Sequence, residues 1–227
     1  MRSWSRTSPR PRPAPKVTDE EMVIVRDVPG LVAKLPRGPI YAPAMIALFG
    51  GLRLGEVLAL RWGRVDVEGK KLEVEEALEE TGKGLRFKGP KSKAGRRTIT
   101  LPDILVQALR EYRREQLELR LRLGVGKLPD DALLFSNLEG GPLRPTTASQ
   151  RWARCAEDLG IPEVTYHALR HTHASQLIDA GVDIVTISKR LGHSKPDITL
   201  RVYAHLFRND DSKAAEAINA IPGLMVS

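Results

Sequence analysis

The chain has five histidines, and all of them lie between positions 167 and 205. His167 and Arg170 are three residues apart, so a helix would place their side chains on one face. His193 follows a Leu-Gly pair that ends a helical pattern, which favours an exposed imidazole at a turn, and Tyr203 comes ten residues later. Imidazoles, a guanidinium and a phenol in one short stretch indicate a site that handles protons and negative charge.

A second arginine lies far upstream, in the segment GLRLGE at residues 51–56. Glu56 follows Arg53 by three residues and is therefore placed to hold its guanidinium by a salt bridge. From Lys83 to Arg97 the chain has seven basic residues and no acidic one, whereas five glutamates lie from Glu73 to Glu80. A block of positive charge on a hairpin, beside a block of the opposite sign, indicates a surface that receives an anion.

These residue types suit one substrate class, a phosphodiester. Its displacement passes through a pentavalent state with negative charge on the non-bridging oxygens, which planar and permanently charged guanidinium groups bind in a bidentate manner. Tyr203 could act as a covalent nucleophile. A phenol with a pKa of about 10 needs a base or strong cations nearby to lose its proton. A lysine on the basic hairpin could protonate the leaving 5′ oxygen.

The histidines could instead bind a metal ion or pack in the core. His167 and His171 are four residues apart and could bind a metal ion from one helix face. This alternative is weakened by the fixed positive charge of Arg170 and by the lack of a nearby acidic residue in the sequence. Core packing is the simpler alternative, and we interpret His171 and His173 as residues that pack or bond to the backbone.

Composition excludes several classes of protein. Hydrophobic residues make up 41% of the chain and charged residues 28%, as in ordinary globular proteins. No apolar run approaches the roughly 18–20 residues that span a bilayer. The single cysteine, Cys155, excludes an internal disulfide and a multi-cysteine zinc site. The N-terminus lacks the apolar core of a signal peptide, so we expect a cytoplasmic protein.

The hydrophobic periodicity predicts an α+β fold that is mostly helical, with one small antiparallel sheet of about three strands. Helices are predicted to begin at Thr18, Pro43, Leu54, Asp103, Pro145 or Thr146, and His167, with breaks at Gly181, Gly192 and Asn209. The helix from Asp103 is predicted to extend to Leu123. Strands are predicted over residues 71–77 and 98–101, with a hairpin between them. Residues 1–17 carry +5 of the net charge of +8 and are predicted to be a linker.

Five motifs together resemble the tyrosine recombinase (phage integrase) family, from about Thr18 to about Tyr203. They are Gly-Leu-Arg-x-x-Glu at 51–56, Pro-Lys-Ser-Lys-Ala-Gly-Arg-Arg at 90–97, His-x-Leu-Arg-His-Thr at 167–172, Leu-Gly-His at 191–193, and Tyr203. The order and spacing are similar to those of the family's catalytic domain. The resemblance implies the tyrosine-recombinase catalytic-domain fold.

The resemblance also implies six catalytic residues, namely Arg53, Lys91, His167, Arg170, His193 and Tyr203. The two arginines and His193 would contact the phosphate, and Tyr203 would form a 3′-phosphotyrosine link. Lys91 would be the general acid for the leaving 5′-hydroxyl, with Lys93 as an open alternative. His167 would assist proton transfer at the tyrosine.

A protein of this kind is a site-specific DNA recombinase or integrase, which integrates or excises a mobile element. The resemblance implies two successive transesterifications on double-stranded DNA with neither metal nor ATP, so no cofactor is expected. It implies a homotetramer on DNA, with the segment after Tyr203 docked on a neighbouring protomer, and accessory DNA-bending or directionality factors as further partners. The expected location is the bacterial cytoplasm or nucleoid, with no membrane partner.

We expect a basic, Pro-rich linker at residues 1–17 and a catalytic domain at residues 18–227, with the family's N-terminal core-binding domain absent. Three other functions stay open at this point. The chain could occupy recombination sites without cutting them, or act as a type IB topoisomerase, which shares this chemistry. A metal-dependent hydrolase is the third alternative.

Overall fold

The computed structural model describes residues 22–90, 95–137, 139–207 and 212–221. The α-helices in these ranges are α1 Val28–Lys34, α2 Tyr41–Met45, α3 Leu54–Ala59, α4 Asp103–Leu123, α5 Pro145–Asp158, α6 Tyr166–Asp179, α7 Ile184–Leu191, α8 Pro196–Tyr203 and α9 Ser212–Asn219. The strands are β1 Val65–Asp66, β2 Lys71–Val74, β3 Ala77–Thr81, β4 Gly84–Lys88 and β5 Arg97–Thr100. A π-helical turn, Ile46–Gly50, continues α2. The described chain is therefore mostly helical, as the sequence predicts.

The strands form two small antiparallel sheets. In the three-stranded sheet, β2 lies between β1 and β5, and Leu72 pairs with Val65 on one side and Ile99 on the other. All three side chains are buried, so this face of the sheet packs on the core. Strands β3 and β4 pair only with each other among the described strands. A small antiparallel sheet of about three strands is confirmed, but the predicted single sheet is two, because the hairpin β3–β4 forms a separate sheet.

Helix α4 has the bounds that its periodicity predicts, and its buried residues lie in its first half, at Leu105, Val106, Ala108 and Leu109. Helix α5 begins at Pro145, where a residue without an N–H costs no helical bond. The helix predicted from Thr18 begins outside the described residues, and residues 22–27 are not helical.

Helix α6 joins the two hydrophobic cores of the molecule. Leu169 belongs to the larger core with the sheet and the first helices. Ala174 and Ile178 belong to a smaller core that also contains Leu191 and Tyr203. Nine of the 14 residues of α6 are buried, so the helix is surrounded rather than half exposed. The buried side chains on α6 are consequently held between the N-terminal and C-terminal elements.

Within the described ranges, no helix combines the length and the hydropathy needed to cross a membrane.

Candidate active site

The first predicted arginine lies where α3 begins. The π-helical turn ends at Gly50, and the next residue, Gly51, has a φ of +69°, a left-handed conformation that favours glycine. Two residues later, the backbone N–H of Arg53 donates to Glu56 Oε2 at 2.9 Å, and its Nη1 donates to Glu56 Oε1 at 3.0 Å. The carboxylate therefore caps the helix and orients the guanidinium. The Arg53 side chain is 45% exposed, which leaves it accessible to a ligand.

The second arginine is almost completely buried. Arg170 donates to the carbonyl oxygens of Gly51 and Leu191, the latter at 2.8 Å. These carbonyls end the π-helical turn and α7, where the negative end of a helix dipole stabilises a cation. Glu56 lies 3.9 Å away and adds a negative charge. Burial lowers the pKa of Arg170 to about 9, so the guanidinium is still charged at neutral pH.

The two guanidinium groups converge on one peptide. Arg53 Nη1 lies 3.5 Å from the Leu191 carbonyl oxygen, and Arg170 Nη2 lies 2.8 Å from the same atom. Positions 53 and 170, on separate helices, are thus brought within joint reach of one small anion. Two cations that share a carbonyl oxygen can bind two oxygens of one phosphate.

His193 is bonded at both ring nitrogens. Arg170 Nη2 donates to His193 Nε2 at 3.1 Å, and because an arginine cannot accept, this nitrogen is the unprotonated one. Nδ1 therefore carries the proton and donates to Thr199 Oγ1 at 2.7 Å. Burial and then the charges of Arg170, Arg53 and Arg97 lower the pKa of His193 to about 4. The neutral imidazole orients Arg170, and contact with a phosphate would require exchange of one of these bonds.

The predicted nucleophile lies in the smaller core. Tyr203 is 1% exposed, and its hydroxyl lies 2.8 Å from His171 Nδ1. Burial raises the pKa of Tyr203 to about 12, against the charges of Arg170 and Arg53, which lower it. Because so little of Tyr203 is exposed, its hydroxyl could reach a bound ligand only after a local movement.

The two histidines of the motif occupy different positions relative to the tyrosine. His171, interpreted from the sequence as a residue that packs or bonds to the backbone, packs against the Tyr203 ring and also contacts the phenol hydroxyl through Nδ1. His167 is exposed, and its ring meets the His171 ring edge to face with centroids 4.2 Å apart. Burial and then Arg170 and Arg53 lower the pKa of His167. No spacing in the sequence identifies this contact, because Tyr203 comes from another helix.

Sequence reasoning also misses Arg97, which it assigns only to the basic block. Its side chain is 7% exposed and binds Glu56 through two bonds, Nη1 to Oε1 at 3.1 Å and Nη2 to Oε2 at 2.9 Å. Its Nε donates to the Arg190 carbonyl at 2.7 Å. Arg97 thus joins β5 to the start of α3 and the end of α7. The sequence signal that could have identified Arg97 is its position at the start of a strand, which directs its side chain to one face of the sheet.

Arg190 and His173 connect α7 and α6 to the π-helical turn and to β5. Arg190 donates to the carbonyl oxygens of Phe49 and Thr100, both at 3.1 Å, and its Nε donates to His173 Nε2 at 3.0 Å. His173 Nδ1 therefore carries the proton and donates to the Leu48 carbonyl at 3.0 Å. The interpretation of His173 as a residue that bonds to the backbone is confirmed.

Lys91 and Lys93 lie outside the described residues. The residues that flank their segment, Pro90 and Gly95, are close to each other, since a Cβ built on Gly95 would overlap Pro90 Cβ. The Gly95 carbonyl accepts from Arg97 Nη1 at 3.3 Å. The base of the lysine segment is therefore attached to the arginine that binds Glu56.

For the metal alternative, the described part of the chain contains no group of three or more His, Cys, Asp or Glu side chains placed to hold an ion. His167 and His171 thus have no third ligand of these types beside them within those ranges.

The phage integrase family matches residues 33–210 of the chain. A tyrosine recombinase XerC-like protein of Caldanaerobacter subterraneus is 32% identical over 186 residues, and the ICEBs1 integrase of Bacillus subtilis is 29% identical over 174 residues. Each alignment covers 77% of this chain but only 48% and 47% of the respective relative. The chain therefore spans about half the length of the relatives that it matches.

Two solved structures share the fold. A Tn1549 transposon integrase in complex with a circular intermediate DNA has a TM-score of 0.70 at 22% identity, covering 88% of this chain and 66% of that chain. The catalytic domain of bacteriophage HP1 integrase has a TM-score of 0.56 at 23% identity, covering 89% of this chain and 97% of that chain. The fold that the sequence motifs imply, mostly helical with a small antiparallel sheet, is confirmed.

Proposed function

Because this chain belongs to the phage integrase family, we propose that it cleaves and rejoins double-stranded DNA by the tyrosine recombinase reaction. The observation that carries the proposal is the convergence of Arg53 and Arg170 on the Leu191 carbonyl, since Leu191 lies in the same small core as Tyr203. Two guanidinium groups and a phenol are the residue types that suit a phosphodiester and its pentavalent transition state. The Tn1549 integrase in the similar structure is bound to DNA, which supports DNA as the substrate.

The two arginines have different roles in phosphate binding. Arg53, which is half exposed, receives the DNA phosphate at the surface. Arg170, fixed by two carbonyls and His193, is preorganised, so its donors need little reorganisation as negative charge develops. Positioned donors of this kind each contribute about 10²–10³ in rate.

The reaction then proceeds by transesterification. The Tyr203 oxygen attacks phosphorus and forms a 3′-phosphotyrosine link, while the bond from phosphorus to the 5′ oxygen breaks. Lys91, with Lys93 as the alternative, protonates that oxygen. The segment that contains these lysines is followed by Gly95, whose carbonyl accepts from Arg97, close to the arginine pair. Since the covalent link retains a phosphodiester, attack by a 5′-hydroxyl rejoins the strand without an outside energy source.

The biological role follows as part of the proposal. Residues 18–227 form the catalytic domain, and the protein integrates or excises a mobile element, as the names of the Tn1549 and ICEBs1 relatives suggest. Four protomers act on two duplexes, with accessory DNA-bending or directionality factors. The segment after Tyr203 docks on a neighbouring protomer, and the exposure of Ile218 (59%) and Ile221 (48%) supports this, because apolar residues on α9 and just after it are open to a partner.

Covalent capture from a pool of random sequences tests the function, because it requires no chosen DNA site. The full chain is incubated with nicked duplexes that carry a randomised internal region and a label at the 5′ end of the nicked strand. We expect labelled DNA that stays on the protein in SDS, and none with Tyr203→Phe. DNA retained on native gels without a covalent adduct would contradict the proposal and favour a binding protein that does not cut.

The general acid is tested with the captured sequence. A sulfur atom in place of the bridging 5′ oxygen gives a leaving group that needs no proton. We expect Lys91→Ala to cleave the oxygen duplex slowly and the sulfur duplex at the wild-type rate, with Lys93→Ala as the matched control. The opposite pattern would assign the role to Lys93.

A further inference from the structure

The hydroxyl of Tyr203 is bonded to an imidazole that has no role in the reaction so far described. His171 Nδ1 lies 2.8 Å from Tyr203 Oη, and the two rings meet edge to face with centroids 5.5 Å apart. The residues are 32 positions apart and come from different helices, α6 and α8. Their contact is therefore a product of how the fold packs these two helices.

The two partners of this bond lie on elements that pack together. Tyr203 packs in the smaller core beside Leu191. His171 directly follows Arg170, whose guanidinium is bonded to the Gly51 and Leu191 carbonyls. An imidazole on α6 thus keeps its position relative to the arginine that would hold the phosphate. A proton acceptor and a phosphate ligand are in this way placed on one rigid element.

His167 is the other imidazole in this region. Its ring lies one helical turn away from His171, with centroids 4.2 Å apart at an interplanar angle of 84°. His171 makes the hydrogen bond to the phenol, whereas His167 packs against the ring of His171. Geometry therefore favours His171 as the first acceptor of the phenol proton.

We propose that His171 is the general base of DNA cleavage and takes the proton of Tyr203 at Nδ1. This inference rests on the proposed function, in which Tyr203 is the nucleophile. As the phenol oxygen bonds to phosphorus, its O–H bond breaks and the proton passes to Nδ1. The bond from phosphorus to the 5′ oxygen breaks, and that oxygen takes a proton from the hairpin lysine. In religation the imidazolium returns its proton to the departing phenol oxygen.

The surroundings of His171 keep it in the form that a base requires. Burial, and then the charges of His167 and Arg170, lower the pKa of His171 to about 4, so the ring is neutral at neutral pH. The titratable and charged groups that face it from the described elements are Tyr203 on α8 and His167 and Arg170 on its own helix. A bound phosphate would add a negative charge, which stabilises the imidazolium as it forms.

The test measures single-turnover formation of the covalent adduct, with the nicked duplex that the wild-type chain captures from the randomised pool. We expect His171→Ala to slow the reaction by about 10²-fold or more, the usual contribution of a general base. Imidazole added to the solution should restore part of the rate in His171→Ala and none in Tyr203→Phe. His205→Ala is the matched control, because His205 is exposed and is expected to react at the wild-type rate.

A second variant keeps the test decisive if His171→Ala does not fold. His171→Gln retains a polar partner for the phenol but cannot take its proton, so we expect it to melt near the wild-type temperature and to stay slow. Wild-type rates in His171→Gln, or a faster reaction in either variant, would overturn the inference. A loss confined to His167→Ala and rescued there by imidazole would also overturn it. If the wild-type chain forms no adduct, the proposed function itself fails, which is a different outcome.

Discussion

Replacing Glu56 with glutamine is expected to destabilise the fold through the cations around it. The carboxylate accepts two bonds from Arg97 and two from Arg53, and lies 3.9 Å from Arg170. Glu56, Arg97 and Arg170 have side chains that are 8%, 7% and 3% exposed. Glu56→Gln keeps the shape of the side chain but removes the charge and directs an N–H₂ group at an arginine.

The expected magnitude follows from burial. Removing one partner of a buried ion pair costs about 3–5 kcal/mol, because the remaining charge stays out of water without compensation. For a domain of this size, each kcal/mol lowers the melting temperature by roughly 2–4 °C. Glu56→Gln should therefore melt about 6–20 °C below the wild-type protein at neutral pH.

The pH dependence gives a second signature of the same interaction. Burial acts to raise the pKa of Glu56, but the bonds and charge of Arg97, with the Arg53 backbone bond and the charge of Arg170, outweigh it, and the net pKa lies below the ordinary value of 4.5. A lowered carboxyl pKa contributes stability above the unfolded value, and this stability is lost as the pH falls through the folded value. The difference between wild type and Glu56→Gln should be full above pH 4.5 and shrink below it.

Thermal unfolding followed by circular dichroism measures both effects. Glu79→Gln is the matched control, because Glu79 also binds two cations, Arg86 and Lys88, but at the surface, where such pairs contribute little. Equal melting temperatures for wild type and Glu56→Gln at neutral pH would refute the reasoning. So would a loss in Glu79→Gln as large as that in Glu56→Gln.

Three further predictions concern the same region. Gly192→Ala is expected to lower the free energy of unfolding in urea by about 1–2 kcal/mol for the left-handed conformation alone. The free energy should fall further because the added Cβ would lie 2.5 Å from Arg97 Nη1. An unchanged free energy of unfolding would contradict this. Arg170→Lys should slow adduct formation by about 10²-fold or more, since an ammonium cannot reproduce the planar fork, and a wild-type rate would argue against preorganisation. The melting temperature should fall as the pH drops from 6.5 to about 4. The reason is that the folded protein holds the pKa of His171 and His193 near 4, whereas the unfolded imidazoles take up protons below pH 6.5. A constant melting temperature over this interval would count against buried neutral imidazoles.

Local patterns in the sequence predict the elements that local physics decides. The amphipathic period of α4 predicts its bounds from Asp103 to Leu123. The break at Gly192 is also predicted, since a left-handed residue ends a helix. The spacing from Arg53 to Glu56 predicts their salt bridge. In each case the partners lie within one or two helical turns, so the sequence pattern contains the interaction.

The remaining parts of the site depend on packing between distant elements. The His171 bond to Tyr203 spans 32 positions, and the Arg97 bonds to Glu56 span 41. No periodicity relates such positions, because the angles at which helices and strands cross decide which side chains meet. The π-helical turn before Gly51 is similar, since a Cβ at Gly51 would lie 2.5 Å from the His173 ring on α6. This second reason for a glycine, in addition to its left-handed φ, becomes visible only once α6 is in place.

Identifying the residue that carries the DNA tests the central claim most directly. The covalent adduct formed by the wild-type chain is trapped, digested with protease and nuclease, and analysed by mass spectrometry. The account predicts a nucleotide mass on the peptide that contains Tyr203, attached through a 3′-phosphate to the phenol oxygen. A nucleotide on any other residue, or a Tyr203 peptide that is never modified while DNA is cut, would contradict it.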